Sequence, residues 1–497
     1  MTTQAPLNLL SGDPQATFIE YADRSYSRGS VVAAAEAVLG LLDQAGVPAD
    51  AMIGLIGRNR PLHAGALLGL ISAGRAACMV HAFQSPQAMA ADLAQSGFAA
   101  VIADAEDWTE PMIAAVRDTG GVGIALSLGD GACRLVPGLE RLAARAWPRR
   151  EGDVVVEILS SGTTGKPKRI PMSSKILNRA LDMSSAAGLS DKREFDITTW
   201  PMSSIGGVCR LIANAALDRP LVYFDKFTVA PWVEAVRRHR PRVITGMPAM
   251  AQMILDAGVD PDHLACVEVF YGGSAPFDPA LKVRFEAAYG LKVIWAYGAT
   301  EFYGTVVSWT EALDAEWGGA KLGSSGRALP GVSLRVVDPD TGAVLAPGEL
   351  GLLQARVEAL GPDWIATNDL AQVDADGFFF HRGRQDGAIV RGGFKVLPET
   401  IRAALCQHPA VLDASAVGLP DSRLGEVPVA AVELRRGATA PDPAELIAFL
   451  RQRLSSQMIP TRLIVIGQLP RTASLKVEIP AVRRLFSQDD PGQSAPI

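Results

Sequence analysis

The stretch Ile158–Ile170, ILSSGTTGKPKRI, sets four hydroxyl side chains, two glycines and two lysines behind the apolar run Val154–Val156. A strand that ends in glycines, hydroxyls and cations can wrap a polyphosphate with backbone N–H groups and side-chain donors. A Walker A loop is excluded, because that loop has a longer spacer between its glycine and its Gly-Lys pair and then Ser or Thr opening a helix. Here only Thr163 and Thr164 separate Gly162 from Gly165, and Pro167 follows Lys166. A solvent-exposed turn uses the same residue types, so the reading depends on what else the chain carries.

The chain has 497 residues, and at roughly 150 residues per domain that suggests about three folding units. Apolar residues make up 48% and charged residues 20%, as in a globular protein with ample material for a core. The net charge is −6 with acids and bases mixed, and no basic block or aromatic-basic interleaving offers a nucleic-acid face. Cys78, Cys133, Cys209, Cys266 and Cys406 are scattered without a C-x-x-C pair, which suits a reducing cytoplasm and gives neither a disulfide framework nor a zinc site. The N-terminus lacks a basic start followed by an apolar stretch, so no signal peptide is expected. Pro61–Val80 is interrupted by His63, Gly74 and Arg75 and reads as a buried helix followed by a strand, not a membrane span.

Short apolar runs alternate with helical patterns through the first 297 residues, the rhythm of parallel strands joined by crossover helices. AMIGLIGRN, AAVIADA, RPRVITGMP and LKVIWAYG read as strands; RGSVVAAAEAVLGLLDQAG, with Ser30 as cap and Gly46 as stop, reads as a helix. Two further helices are expected over Pro231–His239 and Pro279–Tyr289. From Gly323 to Phe380 the pattern changes to short alternating runs such as SLRVVD and DGFFFH, separated by Gly, Pro and Asp, which predicts a β subdomain. Helices and strands mix again beyond Gly387, and a domain boundary is expected at Arg384–Gly387.

The order of the remaining motifs decides what the opening loop is. Ser160-Ser-Gly-Thr-Thr-Gly-Lys-Pro-Lys168, Tyr297-Gly-Ala-Thr-Glu301, Thr367-Asn-Asp369, Gly383-Arg384 and Lys476 follow one another along nearly the whole chain. That series resembles the adenylate-forming superfamily of acyl-CoA synthetases, peptide-synthetase adenylation domains and beetle luciferases. The resemblance implies an α/β fold: a large N-terminal domain (1–384) of mostly parallel sheets with flanking helices, including a β subdomain (about 323–381). A small mobile α+β C-terminal domain (387–497) would swing about a hinge at 384–387, centred on Asp386.

The same resemblance implies the chemistry. Such enzymes join a carboxylate to the α-phosphate of ATP with release of pyrophosphate, so two anions must meet and cations with fixed donors are needed where charge develops. Ser160, Ser161, Gly162, Thr163, Thr164, Gly165 and Lys168 would hold the β- and γ-phosphates. Thr300 would bond the α-phosphate, and Glu301 would hold Mg²⁺, a hard cation that prefers oxygen ligands. Tyr297, with Gly298 and Ala299, would lie along adenine, and Ser274, Ala275 and Pro276 would line its other face. Asp369 would accept the ribose hydroxyls, Arg384 would reach the ribose or α-phosphate, and Lys476 would bridge carboxylate and α-phosphate in the transition state. Taken alone, Tyr297 would be an ordinary core aromatic, Arg384 a surface ion pair and Gly272–Phe277 a turn.

Ser203, Ser204, Tyr271, Gly272, Gly273 and Ala296 are expected around the acyl group. Few charges stand in TGMPAM, VFYGG and IWAYG, which points to an apolar pocket; a neutral acid is expected over an amino acid, because no Asp lies in Trp200–Gly207. The chain departs from the family pattern at four places. Ser203–Ser204 stands where the family has a gating aromatic or His, Asn368 and Leu475 where it has glycine, and Thr400 where it has Glu. Coenzyme A is the expected acceptor; the departures keep an amine, such as an amino acid, or a carrier-protein thiol as alternatives. A non-catalytic nucleotide sensor is opposed by the retention of Glu301, Asp369, Arg384 and Lys476.

Overall fold

The computed structural model describes residues 9–82, 84–159, 169–179, 194–273, 275–391, 394–421, 423–472 and 475–487. The first expected helix forms over Arg28–Gln44, with Ser27 rather than Ser30 as its cap: the Ser27 hydroxyl accepts from the Ser30 backbone N–H at 3.2 Å. Ser30 lies too far inside the helix to serve, since a cap must precede the first turn. Pro61–Ser72 is a helix buried along most of its length and leads through a turn into the strand Ala77–His81, as expected. Pro279–Tyr289 also forms as expected, capped by Asp278.

Seven strands build the first sheet, in the order 132–135, 122–127, 100–104, 53–57, 77–81, 154–159, 169–173. The five inner strands are parallel and the two edges antiparallel. Helices on the faces bury the parallel strands from both sides, which explains their near-continuous apolar character. A second sheet begins with the parallel strands Val243–Gly246, Val269–Gly272 and Lys292–Ala299 and continues antiparallel through Gly304–Ser308 and Arg327–Ala328. Its core holds the fully buried Trp232, Phe270, Phe285 and Phe378, each contributing roughly 1.5–3 kcal/mol or more of burial. In a small third sheet Leu221–Tyr223 pairs in parallel with Thr17–Tyr21 on one side and with Asp196–Thr198 on the other.

The β region is a four-stranded antiparallel meander, 332–337, 351–357, 365–373 and 379–384. Asp374 and Asp376 make its last turn. The Asp374 carboxylate accepts from the Asp376 and Phe378 N–H groups, and Lys321 pairs with both acids. After a short 3-10 turn at Gln385–Gly387 the chain builds another sheet, in which Val411–Asp421 and Gly425–Leu434 pair antiparallel and Arg462–Ile466 adds in parallel. Helices Pro398–Leu405, Pro443–Arg451 and Ile479–Ser487 complete this α+β C-terminal domain. The fold is thus a large N-terminal α/β domain with a separate small C-terminal domain. Among the described residues no helix is long and apolar enough to cross a membrane.

Candidate active site

The strand Lys292–Ala299 leaves the core at Tyr297, where a bulge separates Tyr297 from Gly298 in its pairing with Gly304–Ser308. A Cβ on Gly298 would stand 2.3 Å from the Gly304 carbonyl oxygen, so only glycine lets the two strands close there. A 3-10 turn, Thr300–Phe302, follows, with Glu301 exposed. The strands 365–373 and 379–384 place Asp369 directly opposite Arg384.

These elements meet at the Asp369 carboxylate, which is buried. It accepts from the Tyr297 hydroxyl at 2.5 Å, and its other oxygen lies 3.5 Å from His381 Nε2 and 3.7 Å from Arg384 Nη1. Burial pushes the Asp369 carboxyl up, but His381, Tyr297 and Arg384 outweigh it and hold the group below the usual carboxylate range. Burial first, and Asp369 second, push the Tyr297 phenol well above its ordinary value. The Tyr297 ring is wedged against Phe379, with centroids 4.4 Å apart, and stacks more loosely on His381.

Lys476 comes to the same place from the far end of the chain. It is accessible to solvent yet surrounded by protein, the situation of a side chain projecting into an open cleft. Burial and then Arg384 push its ammonium below the usual lysine range, with Asp369 opposing. Leu475, where the family pattern has glycine, sits in the left-handed region at φ 56 and packs against the core of the second sheet. The positive φ accounts for glycine being usual there.

At the acyl end the serines divide. Ser204 caps the helix Ile205–Ala216, accepting from Gly207 N–H at 3.1 Å and donating to the Pro201 carbonyl. Ser203 is fully buried and bonds His81 Nδ1 at 2.9 Å; burial pushes the His81 imidazole below its usual range. Gly272 and Gly273 are held by the protein itself: a Cβ would meet the Gly246 oxygen at 2.2 Å and the Ala296 oxygen at 2.8 Å, respectively. Tyr271 is half-buried, Ala296 is buried, and Ala275 offers its carbonyl to Trp295 Nε1 at 2.9 Å. Ser160 to Lys168, Ser274 and the side chains of Thr300 and Asp386 lie outside the described residues; Leu159 and Arg169, which flank the opening loop, pair across two antiparallel strands.

Sequence reasoning missed His81 and His381: one ends a strand, the other lies within one, and neither has a motif of its own, so only the fold reveals them. Glu399, beside the departing Thr400, reaches back over Gly383, and burial raises its carboxyl. Among the described residues no group of three or more His, Cys, Asp or Glu forms a metal cage.

Comparison with known proteins adds the following. The family model described as "AMP-binding enzyme" matches residues 10–360, and that of the "AMP-binding enzyme C-terminal domain" matches residues 400–476. A 2-succinylbenzoate–CoA ligase of Bacillus velezensis is 28% identical over 346 residues, 65% of this chain and 67% of its own. A fatty acid–[acyl-carrier-protein] ligase of Streptomyces coeruleorubidus is 32% identical over 344 residues, 65% and 66% of the two chains. The crystal structure of ATP-bound MatB from Rhodopseudomonas palustris superimposes with a TM-score of 0.82 at 22% identity, covering 97% of this chain and 99% of that one. The likeness to that structure is one of fold, and the family-model match extends over most of the sequence: this chain belongs to the AMP-binding enzyme family.

Proposed function

We propose that the chain is an ATP-dependent carboxylic acid ligase. It forms an acyl-adenylate with release of pyrophosphate and then transfers the acyl group to coenzyme A. The observation that carries this reading is the meeting of Lys476, from the C-terminal part, with Tyr297, Asp369 and Arg384 in one cleft. Asp369, held ionised, suits two ribose hydroxyls as donors, and the bond from Tyr297 fixes the ring beside the adenine site. The pull of Asp369 on Lys476 is outweighed by burial and by Arg384, and two anionic substrates would supply the missing counter-charge. Its ammonium then gains most as charge builds between carboxylate and α-phosphate, which is how a preorganised cation accelerates the step.

Thr300 would bond the α-phosphate, and the loop Ser160–Lys168 the β- and γ-phosphates. Glu301, a single exposed carboxylate, fits a magnesium ion that keeps phosphate oxygens and water as its other ligands. When bound, that ion would neutralise phosphate charge. The turn at Gln385–Gly387 would be the hinge between domains 1–384 and 387–497, with rotation about Asp386 separating the two half-reactions. The scattered free cysteines support a reducing cytoplasm as the working compartment.

Coenzyme A as acceptor is supported by the ligase relative from Bacillus velezensis, and a carrier-protein thiol by the one from Streptomyces coeruleorubidus. Mass spectrometry of a reaction with ATP, coenzyme A and a pool of acids tests the reading. An acyl-CoA formed one-for-one with AMP is expected. Release of ADP and phosphate instead would refute it, and AMP without thioester would move the acceptor to a carrier protein or an amine.

A further inference from the structure

We propose that the acid activated by this chain carries a second anionic group remote from its reacting carboxyl, recognised by Arg210 together with Arg179. The proposal rests on the ligase reading above and names its substrate class. The helix Ile205–Ala216 runs through the interior, with Gly207, Val208, Leu211, Ile212 and Asn214 buried. Ile205, Gly206, Cys209 and Arg210 are only half-buried. Those four positions share one helical face, so that face borders open space inside the domain. Cys209 keeps accessible surface on this face, and the surrounding protein pushes its thiol up to about 12.

The groups across this space are those of the acyl site. Arg210 stands within electrostatic range of the Tyr271 phenol, which adjoins Thr305 and Ser308 and leads into Gly272. From the other side Arg179 donates to the Phe302 carbonyl at 3.0 Å and the Thr305 carbonyl at 3.3 Å, and faces Cys209.

The charge balance decides what such a site takes. Arg210 Nη2 lies 2.5 Å from Asp196 Oδ1, and Asn214 occupies the other Asp196 oxygen at 2.7 Å. The Arg210 Nε–H is buried with no acceptor among the described residues. Arg179 meets only carbonyls there, and burial holds its guanidinium below the usual range. Asp196 is thus the carboxylate of Arg210, and Arg179 has none among the described residues. An enclosed cation with spare donors is costly until an anion pairs with it, and the planar guanidinium fork matches a carboxylate. An uncharged acyl group would seal the imbalance in; an anionic one relieves it. Neither arginine lies in a family motif, which is why the motif segments suggested an apolar wall.

Acid-dependent ATP–pyrophosphate exchange with matched acids tests this. For each skeleton, a diacid is compared with its monomethyl ester, which keeps the reacting carboxyl and removes the second charge. The wild-type protein should favour the diacid in kcat/KM by about a hundredfold or more, since a site built to pair a polar group rejects the analogue lacking it. The double variant Asp196→Asn/Arg210→Met removes cation and carboxylate together, so no charge is orphaned, and should lower that ratio at least tenfold; Arg179→Met should lower it independently. Equal use of ester and diacid by the wild type overturns the proposal without recourse to any variant, as does a ratio unchanged in both variants. Exchange confined to uncharged acids refutes this inference alone, whereas absence of exchange with every acid refutes the ligase reading and this inference with it.

Discussion

Lys476 and Asp369 show how a site can be primed by opposite shifts. The carboxylate is held charged by three donors, while the ammonium is surrounded by protein and stands beside another cation, Arg384. Replacing Lys476 by alanine should lower pyrophosphate exchange by roughly 10²–10³-fold, the scale of losing one preorganised transition-state donor, while ATP affinity changes little. Isothermal titration alongside the exchange assay separates the two, and equal loss of both would make Lys476 a binding residue only. The pH profile adds a second check. Because its folded value is depressed, the ammonium is lost on the alkaline side below the ordinary value of about 10.4, and exchange should decline there. The neighbouring Leu475 adopts φ 56, a conformation costing a non-glycine residue roughly 1–2 kcal/mol; its side chain recovers part of this by packing on the large domain.

The turn into the helix Ile205–Ala216 shows what positions the acyl end. A Cβ on Gly207 would lie 2.1 Å from the Pro201 carbonyl oxygen, a backbone atom that cannot step aside. Gly207→Ala should destabilise the N-terminal domain by roughly 1–3 kcal/mol or more. Gly40→Ala, in the helix Arg28–Gln44 with nothing within 4 Å of the new Cβ, should stabilise by roughly 0.5–1 kcal/mol. Denaturant melts of the two variants check the contrast, and a neutral Gly207→Ala would mean the turn is free to move. The elements themselves were legible from periodicity and caps: Pro279–Tyr289 and the 332–384 meander follow directly from apolar spacing and turn residues. The cap at Ser27 was missed because two serines compete there and local pattern does not choose between them. Arg179, Arg210, His81 and His381 were not legible as site residues, because their meaning arises from contacts with residues outside their own elements, such as Tyr297 to His381 and His81 to Ser203.

At the scale of the whole molecule, the reading requires two domains whose relative position chooses the half-reaction. Lys476 reaches the Asp369 cleft only because the C-terminal domain lies over it, and the connection runs through the turn Gln385–Gly387. Proline fixes φ and removes a donor, so Asp386→Pro should hinder rotation there while leaving the present arrangement intact. Pyrophosphate exchange should survive in this variant and thioester formation should fall at least tenfold, since a blocked conformational step limits turnover with the chemical groups untouched. Loss of both would mean damage to the fold or to the adenylation arrangement, and loss of neither would place the hinge elsewhere.

The central claim is that the cleft joins a carboxylate to the α-phosphate of ATP, and isotope exchange reads that step without any acceptor present. Labelled pyrophosphate is incubated with the wild-type protein, ATP and magnesium, with and without a panel of monoacids, diacids and amino acids. The account predicts label entering ATP only when an acid is added, and near-complete loss of that signal in Lys476→Ala. ATP binding by the wild-type protein with no label incorporated for any acid would contradict it.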